Sequence, residues 1–319
     1  MRLPSTVVSI ALIALIALAP TARAQSASSV STTPRLTGYL QPRFQAVGDS
    51  AAFQLRRARF AIEGNINAWV SYRAQVEMRT LGAPATPPAS PLTLSATDLW
   101  VKVSSHRWGG TIGQFRVPFA LESLLGSTVL ETTERSRIVN AAKRDIGAQA
   151  EWNLPHELVL QAAIVNGDGP NRGANPDNRM AYFARAVVTP VKGLDVGGAF
   201  EGYSDSSGVD GQVNYSGKRW TARAEYIDEK NRRSEIHTRG WYALAAYRVV
   251  PQRFELVARL EQFDPNDRVA TDRSTGYLLG GQLFIRGDDF KLLADYEDFR
   301  EQAVQLKNNR GVIQMQVRW

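Results

Sequence analysis

Apolar and polar side chains alternate without a break over one stretch of the chain: Val70-Ser71-Tyr72-Arg73-Ala74-Gln75-Val76-Glu77-Met78-Arg79. The even positions are apolar and the odd positions are polar or charged. Successive side chains of a β-strand point to opposite faces, so a period of two predicts a strand with one apolar and one wet face. A tilted strand that crosses a bilayer needs about 9–11 residues, and this stretch is long enough.

The same alternation recurs along the chain. It is seen in residues 57–63 and 220–226, and it closes the sequence in residues 312–319, which end on Trp319. Most of these segments exceed the usual globular strand of about 5–6 residues. Such segments predict about sixteen strands, at residues 35–46, 52–64, 67–80, 95–104, 109–117, 145–153, 156–166, 179–189, 193–204, 207–216, 218–229, 238–250, 253–264, 274–286, 289–300 and 309–319.

The connections between these strands fall into a short set and a long set, which alternate along the chain. Turns such as Pro251-Gln252 are short, whereas segments such as 81–94 and 118–144 are long. Long loops on one rim and tight turns on the other are typical of an outer-membrane barrel, as are aromatic residues near strand ends. We therefore predict an all-β fold, a closed transmembrane antiparallel β-barrel of about sixteen strands. A periplasmic or secreted β protein with as many strands is the alternative. The tryptophans near strand ends are Trp69, Trp152, Trp220 and Trp241.

The N-terminal segment has the features of a secretory signal peptide. Met1-Arg2 gives a basic start, residues 7–19 are almost entirely apolar, and Ala22-Arg23-Ala24 is a small-x-small cleavage pattern. An uncleaved membrane anchor is the alternative, but the apolar run is short for a span. We predict a signal peptide at residues 1–24, a short periplasmic segment at 25–34 and the barrel at 35–319.

Composition argues against most enzyme classes. The 319 residues include no cysteine, which excludes a disulfide framework, a thiol nucleophile and a thiolate zinc site. The three histidines, His106, His156 and His237, are widely separated in the sequence. The formal net charge is +7. We expect no enzymatic activity, no metal, no cofactor and no nucleic-acid partner.

Seven motifs follow one another along essentially the whole mature chain: Leu36–Phe44, Leu55–Gly64, Gly113–Glu122, Thr133–Ser136, Arg144–Gly147, Val165–Gly169 and Gln314–Trp319. In their order and spacing they resemble the phosphate-selective porin O/P family. The resemblance implies a sixteen-stranded, trimeric porin of the bacterial outer membrane that passes anions or phosphate, with a constriction loop after the central strand. The partners implied are small phosphate-like anions, outer-membrane lipid and two further copies of the chain.

Many basic side chains fall on the wet faces of the predicted strands. Guanidinium groups around a narrow channel attract anions and replace part of their hydration with fixed donors. Acidic residues lie on the same faces, so simple pairing between neighbours is the alternative role. The basic residues are Arg43, Arg57, Arg59, Arg73, Arg79, Lys102, Arg116, Arg185, Arg223 and Arg259, and the acidic ones are Glu63, Glu77, Asp98, Asp145, Glu151, Glu225 and Glu261.

The connection at residues 118–144 is the best functional candidate. Its first half, residues 119–130, is rich in apolar residues, which is unusual for a loop in water. We expect it to fold into the barrel, pack on the inner wall and narrow the pore. An ordinary surface loop is the alternative. The candidate pore and anion-binding residues are Arg57, Arg59, Arg73, Arg116, Arg135, Arg137, Lys143 and Arg144. The last four lie in the second half of the loop, together with the acidic Glu131 and Glu134.

The leading functional hypothesis is an outer-membrane porin for passive diffusion of small anions, with phosphate or a similar oxyanion foremost. A general or organic-anion porin without phosphate specificity is the first alternative, because the charges are mixed. A non-conducting structural or adhesive barrel is the second.

Overall fold

The computed structural model describes residues 31–80, 92–139 and 143–319. In these residues each strand pairs antiparallel with the next, and β1 pairs with β16, so the sheet closes into a barrel. The predicted fold class is confirmed. The strands are β1 (Arg35–Val47), β2 (Ser50–Asn65), β3 (Val70–Thr80), β4 (Leu92–Ser104), β5 (Trp108–Arg116), β6 (Arg144–Leu154), β7 (Leu158–Val165), β8 (Ala181–Val191), β9 (Leu194–Gly202), β10 (Ser206–Ser216), β11 (Trp220–Asn231), β12 (Ile236–Val250), β13 (Phe254–Asp264), β14 (Ser274–Arg286), β15 (Phe290–Glu301) and β16 (Arg310–Arg318).

The strands lie within a few residues of their predicted positions. The start of β7 moves from the predicted residue 156 to Leu158 for a local reason: Pro155 lacks a backbone N–H and begins a one-turn 3-10 helix, Pro155–Glu157. His156 and Glu157 have positive φ angles, so the extended strand begins only at Leu158. The predicted signal peptide and most of the segment at 25–34 lie outside the described residues. No helix in the described part of the chain is long and apolar enough to cross a bilayer.

The barrel wall is apolar outside and polar inside. In β13, Glu255, Arg259 and Glu261 are buried, whereas the alternating Leu256 and Leu260 are exposed. This is the reverse of a water-soluble domain, in which charged side chains face outward. The exposed apolar side chains therefore form a surface suited to lipid, and the buried charges face the interior.

Loop lengths divide the barrel into two rims. One rim carries only short turns, such as 105–107 and 251–253. The other carries the long connections after β5 and β7, of which residues 117–139, 143 and 166–180 are described. The first strand begins and the last strand ends on the rim of short turns. The exposed tryptophans Trp69, Trp152, Trp220 and Trp319 lie at this rim too.

The last residue closes the barrel. The backbone N–H of Trp319 donates to the carbonyl oxygen of Gly38 at 3.0 Å, and the N–H of Gly38 donates to that of Trp319 at 3.1 Å. The indole ring packs on Phe60, with ring centroids 5.8 Å apart. A Cβ atom at position 38 would lie 2.6 Å from the indole, so only glycine leaves room for this contact. The C-terminal aromatic residue therefore joins the first, second and last strands.

Candidate pore constriction

The connection between β5 and β6 lies inside the barrel. Phe119 and Val139 of this loop are buried in an apolar cluster with Phe183 of β8 and Tyr242 of β12. Because these two strand residues belong to the inner wall, the apolar part of the loop packs against the wall from within. The inward fold follows from the apolar composition of residues 119–130, and the surface-loop alternative is wrong.

Inner-wall amides hold the middle of the loop. Gln41 of β1 donates from Nε2 to the carbonyl oxygen of Ser127 at 3.2 Å. Gln316 of β16 donates from Nε2 to that of Thr128 at 3.0 Å. Loop carbonyls thus receive in the barrel the hydrogen bonds that water would supply outside, which a buried backbone requires. The Nζ atom of Lys291 adds a bond to Leu130 O at 3.3 Å.

The first half of the loop contains a single helical turn, α1 (Leu121–Leu124). The N–H of its first residue bonds to a carboxylate of the barrel wall. The N–H of Leu121 donates to Oε1 of Glu225 at 2.5 Å. Glu122 is fully buried and accepts a hydrogen bond from the N–H of Ser136 at 2.7 Å. Burial raises the pKa of Glu122, although nearby arginines act in the other direction.

Glu134, in the second half of the loop, makes ion pairs with three arginines of the barrel wall. Its carboxylate pairs with Arg43 of β1 at 2.5 Å, with Arg56, and with Arg57 of β2 at 3.2 Å. Burial alone would raise the pKa of Glu134, but Arg57 and Arg56 hold it well below its ordinary value. Arg57, a predicted anion-binding residue, is therefore already bound to a carboxylate of the protein.

Arg116 and Arg135 bind backbone carbonyls. Arg116 donates from Nη1 to the carbonyl oxygen of Leu124 at 2.8 Å. Arg135 donates from Nε to that of Glu122 at 2.8 Å and from Nη2 to that of Leu125 at 2.7 Å. No carboxylate of the described residues forms an ion pair with either arginine. Burial and the charge of Arg57 lower the pKa of Arg135 to about 10, so this guanidinium stays charged near neutral pH.

The other predicted site residues are mostly paired with acidic neighbours. Lys143 contacts Glu201 of β9 at 2.8 Å and also pairs with Glu229 of β11. Burial alone would lower the pKa of Lys143, but these carboxylates outweigh it and raise the pKa. Arg137 differs, since it lies over the ring of Phe299 at 4.6 Å. The remaining pairs are Arg59 with Glu77 at 2.9 Å, Arg144 with Asp98 at 2.7 Å and Arg73 with Glu63.

Five of the eight predicted residues form one cluster. Arg116 interacts electrostatically with Arg59, Arg135 and Arg144, and Arg135 also interacts with Arg57. These five arginines and their acidic partners are called the basic cluster below. Arg73 lies at its edge, where it shares Asp98 with Arg144.

The other two predicted residues lie apart from the basic cluster. Lys143 is held against β9 and β11 by its carboxylate partners, and Arg137 lies against β14 and β15.

Arg56 was missed by sequence reasoning for a clear physical reason. Strict alternation directs its side chain to the outside, opposite to Arg57. The pairing of β1 with β2 shifts between Gln41 and Pro42, so that Arg56 is the unpaired residue of a β-bulge. The bulge lets two consecutive arginines reach Glu134. The one available signal was Pro42, which cannot donate to the sheet and marks a bulge.

The opposite wall of the barrel is acidic. Glu201 of β9, Asp210 of β10 and Glu225 of β11 are buried on this side, and Glu229 lies near them. The cations on this side are Lys143, which pairs with Glu201 and Glu229, Arg223 of β11, which pairs with Glu131 of the loop, and Arg185 of β8, which bonds to glutamine side chains. The interior therefore carries positive charge near β2 and β5 and negative charge near β9 to β11.

The loop leaves one part of the wall open to water. Where it covers β1 and β16, Gln316 is 0% exposed. On β3 and β4 the side chains of Arg73 and Lys102 are 29% and 33% exposed. The β3–β4 side, where Glu77 and Asp98 bind Arg59 and Arg144 of the basic cluster, is therefore open to water.

Comparison with known families decides the class. A family model described as phosphate-selective porin O and P matches residues 37–225 and 205–319. The chain belongs to this family. Its members are porins, and this porin lies in the bacterial outer membrane. No curated protein matches the sequence.

Solved porin structures share the fold of this family member. The outer membrane channel DcaP of Acinetobacter baumannii aligns with a TM-score of 0.67 and 10% identity, over 92% of this chain and 100% of that one. An anion-selective porin from Comamonas acidovorans aligns with a TM-score of 0.65 and 10% identity, over 90% and 99%. OmpT of Vibrio cholerae in its trimer form gives 0.62 and 12% identity, over 90% and 99%.

Proposed function

We propose that this porin is a passive channel that prefers small anions, with phosphate or a similar oxyanion as its leading solute. The observation that carries the proposal is the state of Arg116 and Arg135. Their N–H groups bond to carbonyl oxygens, and Asp98, Glu122 and Glu134 act on these two charges without forming an ion pair with them. The basic cluster therefore keeps an excess of positive charge beside the aqueous path.

A narrow pore strengthens this effect. Two unit charges about 4 Å apart interact by roughly 1 kcal/mol in bulk water and by about 4 kcal/mol where the effective dielectric constant is 20. Guanidinium donors also replace part of the hydration that an anion loses in the constriction. Several weak contacts would hold the anion briefly and release it, so transport is diffusion down a gradient. The mechanism requires neither a cofactor nor a catalytic step.

Two observations bear on whether the leading solute is phosphate or another anion. The family description favours phosphate. The acidic wall at Glu201, Asp210 and Glu225 favours the alternative of a general or organic-anion porin, because negative charge opposes a multiply charged anion. The anion-selective neighbour from Comamonas acidovorans is compatible with both.

Assembly and export belong to the same proposal. We propose that the porin is a homotrimer, as the trimer form of OmpT is. We also propose that residues 1–24 are a cleaved signal peptide and that residues 25–34 are periplasmic. Mass spectrometry of the mature chain and native-mass measurement in detergent test these points: a mature chain beginning at Gln25 and a mass of three chains are expected.

Single-channel recording tests the function directly. Purified porin in a planar bilayer should give discrete chloride conductance steps, and their absence would favour the non-conducting barrel. Inorganic phosphate is then titrated against the chloride current. Block by millimolar phosphate, with weaker block by acetate, is expected for an oxyanion-preferring pore. Equal insensitivity to both anions would favour the general porin.

A further inference from the structure

Three guanidinium groups of the barrel wall converge on one carboxylate of the loop. Arg43, Arg56 and Arg57 together surround both oxygens of Glu134. Arg56 binds it in a bidentate manner, with Nη2 lying 3.0 Å from Oε2. Such a forked set of donors is suited to carboxylates and phosphates. The arrangement is that of an oxyanion-binding site whose occupant is part of the same chain.

Among the described residues, the wall supplies the three guanidiniums of this site and two amide side chains that bond to them, and Glu77 also acts electrostatically on Arg56. Arg43 also bonds to the side-chain oxygen of Gln54 at 3.3 Å, and Arg57 to that of Gln41 at 3.1 Å. These amides orient the guanidiniums without cancelling their charge. Without the carboxylate of Glu134, three guanidiniums would face a space that holds no other bound anion of the described residues.

The loop is fixed near Glu134 by bonds that do not use its carboxylate. The carbonyl oxygen of Glu134 accepts hydrogen bonds from Oγ1 of Thr132 at 2.7 Å and from Nη1 of Arg259 at 2.9 Å. The N–H of Thr133 donates to Oδ2 of Asp295 at 2.5 Å. A change at the side chain of Glu134 should therefore leave the loop in place. The side chain of Arg56 is 22% exposed, so the site is reached from the water of the pore.

We infer that Arg43, Arg56 and Arg57 form a latent binding site for a tetrahedral oxyanion such as phosphate or sulfate, which the carboxylate of Glu134 fills in the native porin. The loop thereby keeps permeating oxyanions from binding at these three arginines. They pass beside Arg116 and Arg135 instead, where fewer donors face them. The inference goes beyond the proposed anion preference, because it concerns a site that the native channel keeps closed.

The test compares variants that differ in charge and in space. Glu134→Ala removes both the charge and the volume of the occupant, whereas Glu134→Gln removes the charge but leaves an amide in the site. Glu131→Ala is the matched control, because Glu131 is a loop carboxylate that binds one arginine, Arg223, at 3.0 and 3.1 Å. Inorganic phosphate is titrated against chloride current and, in detergent, against the heat of binding.

Glu134→Ala should bind phosphate at least about tenfold more tightly than the native porin, because removing the carboxylate frees three guanidiniums for charge-assisted hydrogen bonds to the oxyanion. Glu134→Gln should show a smaller gain, and Glu131→Ala none. Equal phosphate affinity in Glu134→Ala and the native porin would overturn the inference, as would an equal gain in Glu131→Ala. If Glu134→Ala does not fold, the phosphate affinity of Glu134→Gln is measured by calorimetry instead. A gain over the native porin supports the inference, and no gain overturns it. A gain in Glu134→Ala combined with no anion preference of the native channel would refute the proposed function alone.

Discussion

At the scale of single residues, the partner of each arginine matters more than the number of arginines. Arg57 and Arg116 were both candidate anion-binding residues, yet one is paired with a carboxylate and the other with a carbonyl oxygen. A paired charge contributes little to the field of the pore, whereas an arginine on a carbonyl retains its full charge. Within the basic cluster, replacing an arginine that bonds to a carbonyl oxygen should therefore change the anion selectivity more than replacing one that pairs with a carboxylate.

We expect the double variant Arg116→Gln/Arg135→Gln to lose most of the anion preference, because it removes the two charges without carboxylate partners. The ratio of anion to cation permeability, from the zero-current potential in a potassium chloride gradient, measures this. Arg172→Gln/Arg233→Gln is the control, because both arginines lie exposed in loops on the long-loop rim. Equal shifts in the two double variants would show that the loop does not set selectivity.

A second residue-scale prediction concerns the fully buried Glu122. Its pKa is raised in the folded porin, mainly by burial, so the charged form is favoured less in the folded than in the unfolded state. Stability should therefore be highest below the unfolded pKa and fall as the pH rises through the folded pKa. Glu122→Gln removes this cost and can still accept the hydrogen bond from Ser136. Its unfolding temperature should exceed that of the native porin at about pH 8, and the difference should vanish near pH 4.

Gel-shift melting of the folded band, recorded across this pH range, provides the measurement. A lower unfolding temperature for Glu122→Gln at about pH 8 would mean that the charged carboxylate stabilises the loop through its arginine neighbours.

At the scale of elements, strands could be predicted well and loop contacts could not. In residues 70–79 apolar and polar side chains alternate because one face of the barrel wall is apolar and the other polar, and β3 begins at Val70. The apolar first half of the loop likewise predicted its inward fold. By contrast, Glu134 meets arginines 77 to 91 positions away in the sequence. Such pairs depend on how the loop crosses the barrel, and no local spacing encodes that path.

The register of β3 gives an element-scale prediction. Arg73 faces the interior, where it pairs with Glu63, and Val76 is exposed on the outer face. Cysteine at position 73 should react with a small water-soluble thiol reagent in whole cells, and cysteine at position 76 should react far more slowly. The chain has no native cysteine, so the labelling is free of background. Faster labelling at position 76 would show that the strand faces the other way.

At the scale of the whole molecule, closure depends on the chain end. Trp319 makes two backbone hydrogen bonds to Gly38 and a ring contact with Phe60, and a backbone hydrogen bond contributes about 1 kcal/mol. Deleting Trp319 should lower the fraction of heat-modifiable folded porin in outer membranes. Trp220→Ala is the matched control, because Trp220 lies at the same rim and contacts Tyr247 of the adjacent strand without closing the barrel. An unchanged folded fraction after the deletion would refute the role of Trp319.

Charge is also distributed at the scale of the whole barrel, with a basic side at β2 and β5 and an acidic side at β9 to β11. The net preference depends on which side borders the water. The loop covers β1 and β16 and leaves Arg73 and Lys102 partly exposed. We attribute the proposed anion preference to the water that reaches this basic side, rather than to the formal charge of the chain.

The most direct test of that claim is the zero-current potential of the native porin in a potassium chloride gradient. Salt screens fixed charges over about 10 Å at 0.1 M and about 3 Å at 1 M. At low salt the sign of the potential should show that chloride permeates more readily than potassium. The potential should decline towards zero as the mean salt concentration approaches 1 M. A potential of the opposite sign, or one near zero at low salt, would contradict the account.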